Sequence, residues 1–190
     1  MTQLSVNDIE KRVLDKYKGT HRLEHILGVA RLARKLAIKF NLDGDKAYIA
    51  GLLHDYIKYE SVEEMKMIIN DKEVEEKFKD APQLLHAYAS YQVAKDKFNI
   101  TDIDILNGIK YHVYGRVDMT LFEKILVISD FCEDSRKYAR CIETRKVLDE
   151  GNFDLAMYLC IKYTIEAVLK SGNTPLAEQY EILKQLESLI

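Results

Sequence analysis

Apolar residues recur along this chain at the three- and four-residue intervals of an α-helix, and strand-like alternation is nearly absent. The pattern predicts an all-α fold, with helices over about 5–17, 21–41, 45–57, 61–70, 82–98, 102–113, 120–134, 139–149, 153–171 and 175–188. Several starts carry chemical signals. Ser61-Val-Glu-Glu64 and Thr120-Leu-Phe-Glu123 fit a capping box, in which hydroxyl and carboxylate satisfy unpaired backbone N–H groups. Thr174-Pro175 fits an N-cap followed by proline at the first helical position. Gly115 and Gly151 sit just past two helix ends, where a left-handed backbone is expected. No linker, repeat or low-complexity stretch divides the chain, so residues 1–190 read as one domain.

Polar residues break the apolar pattern at a few points. The helix over 45–57 carries Ala47, Ile49, Ala50, Leu52, Leu53 and Ile57, apolar around most of its circumference, yet His54 and Asp55 sit side by side in it. Lys58 follows four and three residues later, on the same side as both. The helix over 120–134 repeats the anomaly: Asp130 lies inside Ile125, Leu126, Val127, Ile128, Phe131 and Cys132. A buried carboxylate without a partner costs several kcal/mol or changes protonation, so both aspartates are expected to face a cation, a metal or a strong donor.

Composition narrows the classes. Hydrophobic residues make up 47% and charged residues 31%, which excludes intrinsic disorder. A net charge of −3 argues against non-specific nucleic-acid binding, although a local cluster of Lys and Arg can still hold a small anion. Cys132, Cys141 and Cys160 are odd in number and lack C-x-x-C spacing, which argues against disulfides or a cysteine zinc site. The N-terminal MTQLSVNDIEKRV has no signal-peptide apolar region, and no run approaches a membrane span. A reduced, cytoplasmic protein is the expectation.

Three more histidines punctuate helices: His25 in Leu23–Ala30, His86 in Leu84–Ala89 and His112 just before Gly115-Arg116. Any one of them alone would more often be a hydrogen-bonded core residue than a ligand, and Asp130 alone could pair with an arginine. Four histidines and two aspartates together would serve one or two divalent transition metals and leave positions open for water and substrate.

The ordered set His25 … His54-Asp55 … His86 … His112 … Asp130 resembles the HD-domain superfamily of metal-dependent phosphohydrolases. The flanking segments His21-Arg-Leu-Glu-His25-Ile-Leu-Gly-Val29, Gly51-Leu-Leu-His-Asp-Tyr-Ile-Lys58, Ile109-Lys-Tyr-His-Val-Tyr-Gly-Arg116 and Glu123-Lys-Ile-Leu-Val-Ile-Ser-Asp130 look like the YqeK-type branch, symmetrical diadenosine tetraphosphate hydrolases. The resemblance covers about residues 20–180. It implies an HD-domain helical bundle with a buried metal site, its core at about 20–135 and C-terminal helices over 139–188 completing the pocket.

The resemblance implies that His25, His54, Asp55 and Asp130 hold a principal metal and favours iron, with manganese or another divalent ion as the alternatives. A second ion would lie on Asp55, His86 and His112. Asp55, Lys58, His86 and His112 carry the catalytic expectation. Arg22, Lys58, His86, His112, Val113, Arg116, Arg136, Asn173 and Thr174 carry the nucleotide and phosphate contacts, with Thr174 opening a helix toward an anion. Two departures from the branch stand out. Val113-Tyr114 replaces hydroxyl residues after the fourth histidine, and Glu133-Asp134-Ser135-Arg136 keeps the arginine of a Glu-Pro-Gly-Arg-like turn but not the turn residues. The expected partner is a dinucleoside polyphosphate or ADP-like molecule, not a nucleic acid or membrane, and the resemblance also suggests a homodimer. Alternatives are an HD phosphohydrolase for a nucleoside monophosphate or cyclic nucleotide, or a non-catalytic nucleotide-binding module.

Overall fold

The structure is a computed structural model that describes residues 4–190, so the first residues of the N-terminal segment, and the start of the expected domain, lie outside it. It contains α1 (Val6–Tyr17), α2 (His21–Lys39), α3 (Gly44–Leu53), α4 (Val62–Ile69), α5 (Lys72–Lys77), a 3₁₀ turn (Pro82–Leu84), α6 (Leu85–Lys97), α7 (Ile103–Tyr111), α8 (Leu121–Cys132), α9 (Ala139–Asp149), α10 (Phe153–Lys170) and α11 (Ala177–Glu187). The described residues contain no strand, as the helical periodicity predicts. None of their helices is long and apolar enough to cross a membrane.

The capping signals act as read. Ser61 and Glu64 form a reciprocal box at α4, and Thr120 and Glu123 do so at α8. Gly115 and Gly151 adopt φ of 70° and 92°. Some elements differ from the sequence reading. The expected helix over 82–98 begins as a 3₁₀ turn before α6. The six-residue α5, capped by Asp71, is too short to leave a periodic signature. The last helix starts at Ala177, not Pro175: Leu176 is its N-cap, and its backbone N–H donates to the Gln179 side chain. Pro175 is buried and precedes the helix in extended chain, so Thr174 does not open a helix.

The core is built around α2 and α3. Ala30, Ala33 and Ala37 on α2, and Ala47 and Ala50 on α3, are all buried. Their small side chains, with Gly51, let the two backbones come close. A Cβ at Gly51 would lie 2.5 Å from the Cα of Ala30. Helix α8 packs on α2 and α7, α6 on α7, and α10 seals the other side of α8. Five separate segments thereby point polar side chains into one apolar interior.

Candidate metal centre

His25 comes from α2, His86 from the first turn of α6 and Asp130 from the last turns of α8; His112 directly follows α7. His54 and Asp55 follow α3 rather than lying inside it. The expected helix over 45–57 ends at Leu53 and continues as turns to Tyr59. Here the Asp55 carbonyl accepts from the hydroxyl of Tyr17 on α1 at 2.8 Å and from the Lys58 N–H at 2.9 Å, an i→i+3 bond. This tighter winding aims both side chains of the pair at the same interior point. The four histidines and Asp55 are buried, and Asp130 is partly so.

The ring nitrogens reveal what that point accommodates. Nδ1 of His54 lies 2.6 Å from the Gly51 carbonyl, that of His86 2.6 Å from the Gln83 carbonyl, and that of His112 2.7 Å from the Ile109 carbonyl. A carbonyl only accepts, so each Nδ1 carries the hydrogen. In the neutral imidazole the opposite nitrogen, Nε2, is then a bare lone pair. Burial pushes the pKa of His86 and His112 down, which favours that neutral form. His25 places Nδ1 3.1 Å from Glu133 Oε1, so this nitrogen too carries the hydrogen; burial lowers its pKa, but its bonds to Asp130 and Glu133 outweigh burial and raise it.

These Nε2 atoms converge on one another and on the aspartates in two adjoining groups. In the first, His25 Nε2 is 3.4 Å from His54 Nε2 and 3.0 Å from Asp130 Oδ1, and His54 Nε2 is 3.4 Å from Asp55 Oδ2. In the second, Asp55 Oδ1 is 3.1 Å from His86 Nε2 and 3.7 Å from His112 Nε2, which are 3.3 Å apart. Asp55 thus presents one oxygen to each group. Its Oδ1 is buried with no hydrogen-bond donor.

Acceptors facing acceptors in a buried space repel unless a cation lies between them. Two donors bound to one first-row ion at about 2.1 Å are at most about 4.2 Å apart, and every separation above is shorter. Mixed imidazole and carboxylate donors suit a divalent transition metal. The set fits a divalent ion. The carboxylates are ready to bind one. Burial raises the pKa of Asp130, but the Arg136 guanidinium and His25 outweigh it and hold the group well below the usual range. Burial likewise opposes ionisation of Asp55, and the facing imidazoles outweigh it.

The profile of the HD domain matches residues 22–135, which hold all six of these side chains. The chain belongs to the HD-domain family. It is 37% identical to a Bacillus subtilis protein named bis(5'-nucleosyl)-tetraphosphatase, symmetrical, over 80% of this chain and 82% of that one. It is 31% identical to the Staphylococcus aureus protein of the same name, over 86% of each. The crystal structure of a Clostridium acetobutylicum protein, described as an HD superfamily hydrolase involved in NAD metabolism, superposes with a TM-score of 0.90 over the whole of both chains at 32% identity.

Around this HD-domain cluster lies a ring of cations. Arg22 donates to Asp55 Oδ2 at 2.8 Å, and Arg136 to Asp130 Oδ1 at 2.9 Å. Lys58 Nζ lies 3.1 Å from His86 Nε2 and 4.0 Å from Asp55 Oδ1, and burial lowers its pKa. Two clefts flank the cluster. A larger one, about 550 Å³, is lined by Arg22, His25, Tyr59, Arg136 and Tyr138 among others. A narrower one, about 290 Å³, is lined by His112, Val113, Asp130, Phe131, Arg136 and Tyr163 among others. Asn173 and Thr174 line a small adjoining cavity of about 70 Å³ with Val113.

Arg116 is not brought to the cluster. Its guanidinium donates twice to buried Glu123, at 3.0 and 3.1 Å, and lines a separate cavity with Met119 and Ile182. The residue that sequence reasoning missed is Glu133, buried and hydrogen-bonded to His25. Its signal was only nearness in sequence: Glu133 follows Asp130 by three residues, as the C-cap of α8.

Proposed function

We propose that this HD domain is a metal-dependent phosphohydrolase that cleaves diadenosine tetraphosphate symmetrically, consuming one water and releasing two ADP. The observation that carries the reading is the convergence of lone-pair-bearing Nε2 atoms on Asp55 and Asp130 inside an apolar core. The names of the relatives, symmetrical tetraphosphatases over most of their length, support the substrate. The chain reads as one functional unit, in which a core at about 20–135 holds the metals and the helices over 139–188 complete the pocket.

His25, His54, Asp55 and Asp130 would hold the principal ion, and Asp55, His86 and His112 a second. The family resemblance favours iron. When bound, such an ion lowers the pKa of water from about 16 toward neutrality and withdraws charge from a phosphoryl oxygen. The protein supplies the rest. Lys58, on the rim of the second group, faces the phosphates and offsets charge that grows as the bridging P–O bond breaks. Arg136 stands beside Asp130 between the two clefts and orients the polyphosphate. Glu133 fixes the His25 tautomer. His112, Val113, Asn173 and Thr174 contact one ADP half in the narrower cleft and its adjoining cavity. The substrate is a small soluble dinucleotide, consistent with a cytoplasmic protein that binds neither nucleic acid nor membrane.

Purified, iron-loaded protein incubated with diadenosine tetraphosphate tests the reading. The expected products are two ADP. AMP plus ATP, or no turnover with iron, manganese or any other divalent ion, overturns it.

A further inference from the structure

The proposed substrate carries a nucleoside at each end, and the metal cluster opens on two clefts rather than one. His112 and Asp130 face the narrower cleft, His25 faces the larger, and Arg136 lines both. The narrower cleft accounts for one ADP half. Nothing in the reading above assigns the larger.

The chemistry of the larger cleft is specific. Tyr59 and Tyr138 line it, and both rings are largely exposed, at 59% and 63%. Of the chain's eighteen aromatic residues only Tyr59, Tyr138 and Tyr180 are exposed, and two of these three line this one cleft. The Arg22 guanidinium lies 5.9 Å from the Tyr59 ring centroid while donating to Asp55, which links an aromatic surface to the metal cluster through one side chain. Arg22, Arg136 and Lys137 supply positive charge. The one acidic lining residue, Glu133, is engaged by His25 and Ser135. Cations beside the Asp55 and Asp130 carboxylates and open rings in the same cleft match a phosphate chain that ends in a base.

We propose that the larger cleft is a second nucleoside subsite, in which Tyr59 and Tyr138 stack the base of the departing ADP and Arg22 steadies its phosphates. This rests on the tetraphosphatase reading. The substrate would then be gripped at both ends, with the scissile bridge at the metals.

The test compares two substrates, diadenosine tetraphosphate and adenosine 5'-tetraphosphate, which has one base, on metal-loaded protein. Removing a stacking ring by Tyr59→Ala or Tyr138→Ala is expected to raise KM for the dinucleotide about tenfold, with kcat little changed. The KM for adenosine 5'-tetraphosphate is expected to rise far less. Tyr138→Phe, which keeps the ring, restores the dinucleotide KM. Tyr180→Ala, an exposed tyrosine on α11 outside both clefts, moves neither. An unchanged dinucleotide KM in both cleft variants overturns the subsite while the hydrolase reading stands. Equal rises for both substrates also overturn it. Failure of the wild-type protein to cleave the dinucleotide removes the hydrolase reading and the subsite together.

Discussion

Glu133 Oε1 lies 3.1 Å from Nδ1 of His25, and its other oxygen occupies the space that a side chain at residue 28 would fill. A Cβ at Gly28 would sit 2.2 Å from Glu133 Oε2. Helix α2 therefore supplies both the imidazole and, one turn later, the gap that admits its carboxylate partner. Such a carboxylate fixes the tautomer and raises ligand basicity. Glu133→Ala is expected to weaken metal binding about 10–100-fold. Gly28→Ala should act in the same direction, because the added methyl evicts the carboxylate. Metal titration of the apo proteins checks both, and wild-type affinity in Gly28→Ala would show that the contact is idle.

Asp55 presents one oxygen to each donor group, so its loss removes a ligand from both. Asp55→Ala is expected to abolish turnover and to lower the metal content per chain. Elemental analysis beside an activity assay measures the two effects. Retention of wild-type activity would refute the central role given to this residue. Asp55→Asn separates charge from shape: it keeps the size but presents a neutral amide, and should bind metal poorly with the fold intact.

Much of this architecture is legible in the sequence, and its limits have physical causes. His54, Asp55 and Asp130 stand out because they interrupt apolar helical faces, which needs no knowledge of long-range contacts. The HD-domain order supplied the other three side chains. Arg116 shows what spacing cannot reveal. It follows His112 by one helical turn, but Glu123, whose other oxygen accepts the Thr120 N–H in the capping box, draws its guanidinium away from the cluster. Thr174 failed for a related reason: a Thr-Pro pair is a good helix start locally, yet Pro175 is buried against the fold and Gln179 caps Leu176 instead. The narrower cleft arises where α8, α9 and α10 pack together, and the larger where the start of α2, the turn at Tyr59 and the connection from Glu133 to Tyr138 meet; neither leaves a local signature.

Metal removal should cost stability as well as activity. Without an ion, lone pairs of His25, His54, Asp55 and Asp130 face one another in the core. An ion that binds only the folded state stabilises it by about 2.7 kcal/mol at 100 times its Kd. For a chain of this size that corresponds to a rise in Tm of about 5–11 °C. Thermal unfolding after chelation, with and without added iron or manganese, measures it. A Tm indifferent to every divalent ion would count against a metal in this cluster.

The packing that assembles the site has its tightest point where Gly51 meets Ala30. A Cβ there would lie 2.5 Å from the Ala30 Cα and 2.8 Å from its backbone nitrogen, and neither atom can rotate aside. Gly51→Ala is therefore expected to force α2 and α3 apart, at a cost typical of overpacking, about 1–3 kcal/mol. His54 lies three residues beyond Gly51 and donates Nδ1–H to its carbonyl. The same displacement should shift His54 relative to His25 and weaken metal binding along with stability. Circular dichroism melts and metal titration on one preparation report both. A variant that melts like wild type and keeps full metal affinity would show that the helices have room the structure denies them.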